Sequence, residues 1–281
     1  TFRSDIGYAD SRHPDQVVFS SDILDDLSRR DFTVNSIACG LDGQLVDPYG
    51  GTADIKSKIL RATGDPAVRF DEDALRILRL FRFAAQLGFD IELNTLKTAI
   101  QRRAKLSAIS KERIGGEFLR LLSHDCAKPL QQMSDGGILA IIGIKPITAS
   151  AQIQACSGDP ILRLAVLIEL SGSDPGAAYS ALKLSNSQKY LCGTFLTELA
   201  NPVYSNKAEF KCRYSALSSE QWKTLLLAKT ALGRDPGAVS DYIDQIEQNN
   251  EPYRLSQLAL NGDDFFRLGY RGKEIGKVLE T

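Results

Sequence analysis

The chain has 281 residues, 43% of them apolar, enough for more than one hydrophobic core and two or three modules of ordinary size. Its formal net charge of −1 excludes a molecule coated in positive charge, so nucleic-acid contact would have to come from local clusters of arginine and lysine. Five widely spaced cysteines and two histidines exclude a disulfide framework and leave a soft-metal cluster short of ligands.

No run of about 18–20 apolar residues would span a membrane, so no membrane partner is expected, and reduced thiols make the cytosol the expected compartment. The chain opens on Thr1, and its single methionine is Met133. We therefore expect that a preceding segment is missing.

Strand signals are confined to the first part of the chain: Gln16–Ser20, Gln44–Asp47 and Ile59–Thr63 are short, β-favouring and bounded by turn residues. Asp31–Gly40 between them reads as a helix. Pro48-Tyr49-Gly50-Gly51 is a sharp break, suited to bringing backbone close to another group. From Asp71 onward Leu75, Leu78, Phe81, Ala85 and Leu87 recur near helical spacing, and helix-forming stretches follow almost to the end. Ser110-Lys111-Glu112-Arg113 resembles a helix start leading into Phe118–Leu122, and Asp135-Gly136-Gly137 ends that block. Ser171–Gly176 and Gly233–Gly237 are the expected later joints.

Asp73, Arg76, Arg79 and Arg82 fall at three-residue intervals on one predicted helix and form a short spiral stripe. An acceptor beside a guanidinium fork can imitate a complementary base edge, and Arg79 and Arg82 could reach triphosphate oxygens. The competing reading is ordinary intrahelical ion pairing among Glu72, Asp73, Arg76 and Arg79. Arg82, between Phe81 and Phe83 on an apolar helix, is a costly place for charge unless something anionic is bound. Arg29-Arg30-Asp31 stands at a predicted helix start, where Arg30 could hold phosphate and Asp31 or Asn35 meet a ribose hydroxyl; a capped helix with solvated arginines is the alternative.

Read in order, these segments resemble the class II tRNA nucleotidyltransferases, that is, the bacterial-type CCA-adding enzymes and the related poly(A) polymerases. Arg29–Thr33 resembles the family's ribose and nucleotide motif, and Asp47–Gly51 with Asp54-Ile55 its glycine-containing connector. Arg69–Arg76 resembles the amino-acid template for ATP and CTP, and Glu112–Glu117 with Leu121-Leu122 the neck-helix motif. A weaker match links Leu260–Asp264, Leu268-Gly269 and Gly272–Gly276 to the C-terminal segment; Tyr270-Arg271-Gly272 departs from its usual proline-glycine.

The resemblance implies an α+β remnant of a nucleotidyltransferase head (1–68), then a helical neck with the template helix (69–122), a helical body (123–225) and an incomplete tail (226–281), elongated overall. It implies nucleotide-binding roles for Arg30, Asp31, Asn35, Asp73, Arg76, Arg79 and Arg82, supported by Arg29, Glu72, Asp10 and Arg12. The implied reaction adds CMP and AMP to the 3′ end of tRNA from CTP and ATP. The complete enzyme would use Mg²⁺, whose carboxylates would precede Thr1, so this chain would hold no metal and act only with a separate catalytic segment or subunit.

Gly7–Asp15 resembles the flexible loop of enzymes that proceed from C to A, which disfavours an enzyme adding C alone, and Ala74 stands where poly(A) polymerases tend to carry proline, which favours CCA addition over poly(A) addition; an A-adding tRNA nucleotidyltransferase and a poly(A) polymerase are the alternatives within the family. Arg102, Arg103, Lys105, Lys111 and Arg113 in the neck, and Lys207, Lys211 and Arg213 farther on, could meet RNA phosphate or be solvated helix faces. A noncatalytic RNA-binding or partner module is the reading of a different class.

Overall fold

The computed structural model describes residues 2–6, 16–20, 22–156, 158–200, 204–254, 257 and 262–274. Asp10 and Arg12, with the rest of the 7–15 segment, lie outside them, as does much of the C-terminal match. Two compact units divide at Gly193/Thr194.

The first unit begins with three two-stranded sheets and continues almost wholly in helices. β1 (Phe2–Ile6) pairs antiparallel with β2 (Gln16–Ser20), Phe2 opposite Ser20. α1 (Ile23–Ser28) starts at Asp22, whose carboxylate accepts the Leu24 amide. β3 (Ala38–Cys39) pairs antiparallel with β4 (Leu45–Val46), and α2 (Gly51–Ser57) follows.

β5 (Ile59–Leu60) leads to α3 (Pro66–Glu72), which has Asp65 as its cap and proline in its first turn. α4 (Leu75–Leu87) comes next, ending at left-handed Gly88, and β6 (Asp90–Ile91) pairs parallel with β5. α5 (Leu93–Gln101), α6 (Lys111–Leu122), α7 (Ala127–Asp135), α8 (Ile138–Ile141), α9 (Ser150–Ala155), α10 (Pro160–Ser171) and α11 (Pro175–Ala181) complete this unit with the start of α12 (Asn186–Ala200).

The core follows the apolar periodicity of α4: Ile77, Leu78, Leu80, Phe81, Ala84 and Ala85 are buried, and this helix packs on α6 and α7. Buried Arg163 on α10 donates to the carbonyls of Leu122 and His124 at 2.7 and 2.5 Å and to those of Gln154 and Cys156. One guanidinium thereby satisfies carbonyls at and just past the C-terminal ends of both α6 and α9.

In the second unit α13 (Lys207–Tyr214), α14 (Ser219–Ala231) and α15 (Val239–Gln248) surround an aromatic core of Phe210, Tyr204, Tyr214 and Trp222, and α16 (Gly262–Arg267) follows.

Two expectations change. Asp31–Gly40 is not a helix: one 3₁₀ turn, Thr33–Asn35, precedes β3. Long-range backbone bonds decide this, because Thr33 N–H donates to the Arg61 carbonyl, Thr63 N–H donates to that of Asp31, and Phe32 bridges Ala62. The template stripe is also not on one helix, for Asp73 is extended (φ −145°, ψ 104°) between α3 and α4 and accepts the Leu75 amide at 3.0 Å. A short acidic side chain that can cap the next turn interrupts the apolar period there.

The Pro48–Gly51 break behaves as read. Gly50 is left-handed (φ 71°), Asp47 accepts the Gly51 and Thr52 amides, and a Cβ on Gly51 would stand 2.1 Å from the Thr33 carbonyl oxygen.

Candidate functional site

Arg29, Arg30, Asp31, Asn35, Asp73, Leu75, Arg76, Arg79 and Arg113 line an open recess of about 420 Å³. It forms where the turn after α1 meets the α3–α4 junction and the first turn of α6. Five guanidinium groups against two carboxylates make it a site for an anion, and its volume suits a small molecule.

The arginines of α3 and α4 first fasten the end of α1. Arg69 donates to the Ser28 carbonyl at 2.8 Å and Arg76 to that of Arg29 at 2.8 Å, while Glu72 pairs with both arginines at 2.7 and 2.6 Å. Arg29 is thus at the C-terminal cap of α1 rather than at a helix start. The helix end there offers carbonyls to cations, not free amides to anions, which corrects the basis for placing phosphate by dipole. Arg29 and Arg30 both pair with Asp26; burial raises the Asp26 carboxyl, but hydrogen bonds from the two arginines outweigh it and hold it below the ordinary range.

Asp31 lines the recess, yet both its oxygens are engaged. Oδ1 accepts the Phe32 amide and the Asn35 side chain at 3.0 and 3.1 Å, and Oδ2 accepts Arg79 Nε at 2.8 Å and Nη2 at 2.5 Å. Its first task is therefore to hold Arg79, whose Nη1 is uncommitted among the described residues. Asp73 divides its carboxylate similarly: one oxygen accepts the Leu75 amide, the other Arg113 Nη2 at 2.7 Å. A carboxylate has about four lone-pair sites, so Asp31 is fully used while each Asp73 oxygen can accept once more.

Arg82 is the correction among the arginines expected to bind nucleotide. It is buried, pairs with Glu117 at 2.6 Å, donates to Gln86 and lies 3.9 Å over the Phe83 ring, and it does not line the recess. A costly internal charge does have its anion, but that anion is Glu117 on α6.

Arg113 is the residue assigned differently by sequence: read as an RNA-phosphate contact, it enters the recess and grips Asp73. The signal available was its i, i+4 relation to Glu117, which puts both on the face of α6 turned to α4. Five of the other neck and later cations are committed to acids: Arg102 and Lys105 to Asp71, Lys207 and Lys211 to Glu251, and Arg213 to Glu198.

Among the described residues no group of three or more histidine, cysteine, aspartate or glutamate side chains is arranged for a metal ion. Magnesium needs oxygen ligands free to bind it, and the recess carboxylates are held by arginines. They do not fit as a magnesium site.

Residues 1–61 match the family described as "Poly A polymerase head domain", and 88–150 match "Probable RNA and SrmB- binding site of polymerase A". The CCA-adding enzyme of Limosilactobacillus fermentum is 35% identical over 298 residues, a match covering 100% of this chain and 72% of that protein. The chain belongs to the CCA-adding enzyme family.

Its fold agrees. A Bacillus stearothermophilus CCA-adding enzyme in complex with CTP superposes with a TM-score of 0.79 at 28% identity, over 100% of this chain and 71% of that one. A Thermotoga maritima CCA-adding enzyme complexed with tRNA gives 0.64 at 22% identity, over 92% and 68%, a likeness of fold. The chain is mostly helical after a nucleotidyltransferase-type head remnant, as expected of a CCA-adding enzyme. Among the described residues no helix is long and apolar enough to cross a membrane.

Proposed function

We propose that this recess selects CTP and ATP for addition of CMP and AMP to the 3′ end of tRNA, with protein side chains standing in for a template strand. One observation carries the reading: Asp73 leaves helical geometry where α3 meets α4, so its carboxylate lies beside Arg76 and Arg113 in a cavity walled by guanidinium groups. Cytosine and adenine each present an exocyclic amino donor where uracil and guanine present a carbonyl. A carboxylate accepts the first and repels the second.

Arg30, 46% exposed at its side chain, and Arg79, 33% exposed, take the triphosphate in this reading. Asn35, tied to Asp31, lies near the sugar, and Asp31 acts by orienting Arg79. The head (1–68) and neck (69–122) supply these residues, and the helices beyond engage tRNA. Free thiols throughout the described chain suit a cytoplasmic enzyme. Metal-assisted phosphoryl transfer is assigned to no described residue; a catalytic segment outside them would provide Mg²⁺ ligands.

Calorimetric titration with each of the four ribonucleoside triphosphates tests the proposal. CTP and ATP should bind and UTP and GTP should not; equal affinity for all four would refute base selection. Sequencing the product made by the complete enzyme on tRNA separates CCA addition from A-only or poly(A) addition.

A further inference from the structure

The first turn of α6 has a second face. Arg113 and Glu117, four apart, turn to α4, where they meet Asp73 and Arg82. Lys111 and Gly115, also four apart, are rotated by about 160° from that pair and turn the other way. A Cβ on Gly115 would stand 2.0 Å from the Leu182 carbonyl oxygen, so the end of α11 is pressed against this face, and Gly143 closes on Ala181 from another side. The next residue, Lys183, is left-handed (φ 50°), an uncommon conformation for lysine.

A separate recess of about 350 Å³ opens there, lined by Lys111, Lys183 and Lys189 together with Tyr179 and Ser180. Lys111 and Lys189 have no carboxylate partner among the described residues. Lys183 lies 4.0 Å from Glu112, both side chains being more than half exposed, a weak pair that a stronger anion would replace. Most other cations singled out in the neck are neutralised by nearby acids, so three lysines around one hollow are unlike their surroundings.

We propose that this recess holds backbone phosphate of the RNA whose 3′ end lies at the arginine recess. This rests on the function proposed above. Lysine is a point charge suited to phosphate without base choice, and exposed lysines around an open hollow fit a passing backbone. The two recesses flank one helix, which with side chains is about 10–12 Å across, so a single polynucleotide can occupy both.

The test is fluorescence anisotropy of labelled tRNA lacking CCA, titrated with the full chain from 50 to 200 mM salt, with calorimetric CTP binding in parallel. Lys111→Gln/Lys189→Gln is compared with Lys111→Arg/Lys189→Arg. The glutamine variant should bind tRNA roughly tenfold more weakly at 0.1 M salt, with a salt slope shallower by about 1 per lysine. Its CTP affinity should be unchanged, and the arginine variant should behave as the parent.

Equal tRNA affinity and slope in parent and glutamine variant would overturn the inference, as would parallel loss of CTP binding. A parent that binds CTP but not tRNA overturns this inference alone; a parent that binds neither overturns the proposed function with it.

Discussion

Replacing Asp73 by asparagine separates the template role from the fold. Asp73 accepts the Leu75 amide at 3.0 Å and Arg113 at 2.7 Å, with its side chain 20% exposed. Asparagine keeps an oxygen for the Leu75 amide, and because it caps helices as well as aspartate, stability should change by less than about 1 kcal/mol. What disappears is the anionic acceptor. A hydrogen bond to a charged group contributes about 1.5–3 kcal/mol, so CTP and ATP should lose about 10- to 150-fold of their advantage over UTP and GTP. The carboxamide also offers N–H to the carbonyl of uracil or guanine, so UTP affinity should rise while CTP affinity falls. Calorimetry with all four nucleotides on parent and variant measures the ratio directly. A folded Asp73→Asn protein with an unaltered ratio would show that Asp73 does not read the base.

Other expectations follow from single contacts. Glu117→Ala strands the buried Arg82 guanidinium and should cost about 3–5 kcal/mol in urea unfolding, whereas Glu117→Ala with Arg82→Met should recover part of it. Gly115→Ala drives a methyl into the Leu182 carbonyl and should destabilise by about 1–3 kcal/mol on the same assay; a neutral result would mean that α11 can move away from α6. Hydrogen bonds from Lys207 and then Lys211 hold the Glu251 carboxyl down to about 2 from an ordinary 4.5. A depressed folded pKa gives stability that is complete above 4.5 and lost as pH falls toward 2. Melting temperature against pH should therefore be flatter across that window in Glu251→Gln than in the parent.

The residues that line the arginine recess were largely legible because their types are chemically unambiguous and their order along the chain resembles one family. The geometry was less so. A three-residue spacing treats Asp73 as helical, and only its bond to the Leu75 amide shows that it stands between two helices. Arg82 looked anomalous because sequence displays its apolar neighbours Phe81 and Phe83 but not Glu117, 35 positions away and facing it from α6. Asp31–Gly40 misled for the same reason: local propensity favoured a helix, and the carbonyl of Arg61 and the amide of Thr63, both distant in the chain, decided otherwise. Where the deciding chemistry is local, as in the Pro48–Gly51 break with left-handed Gly50, sequence and structure agree.

The phase of α6 sets two addresses at once. Because a residue advances the helix by about 100°, a one-residue insertion between Lys111 and Arg113 would put the two out of phase, so that Lys111 leaves its hollow if Arg113 keeps its grip on Asp73; an insertion after Gly116 would put Glu117 out of phase with Arg113, so that α6 could meet Arg82 or Asp73 but not both. Length changes in this one segment are therefore not interchangeable with substitutions. Each would uncouple a different client of the same rod, and the position of the insertion determines which client is lost.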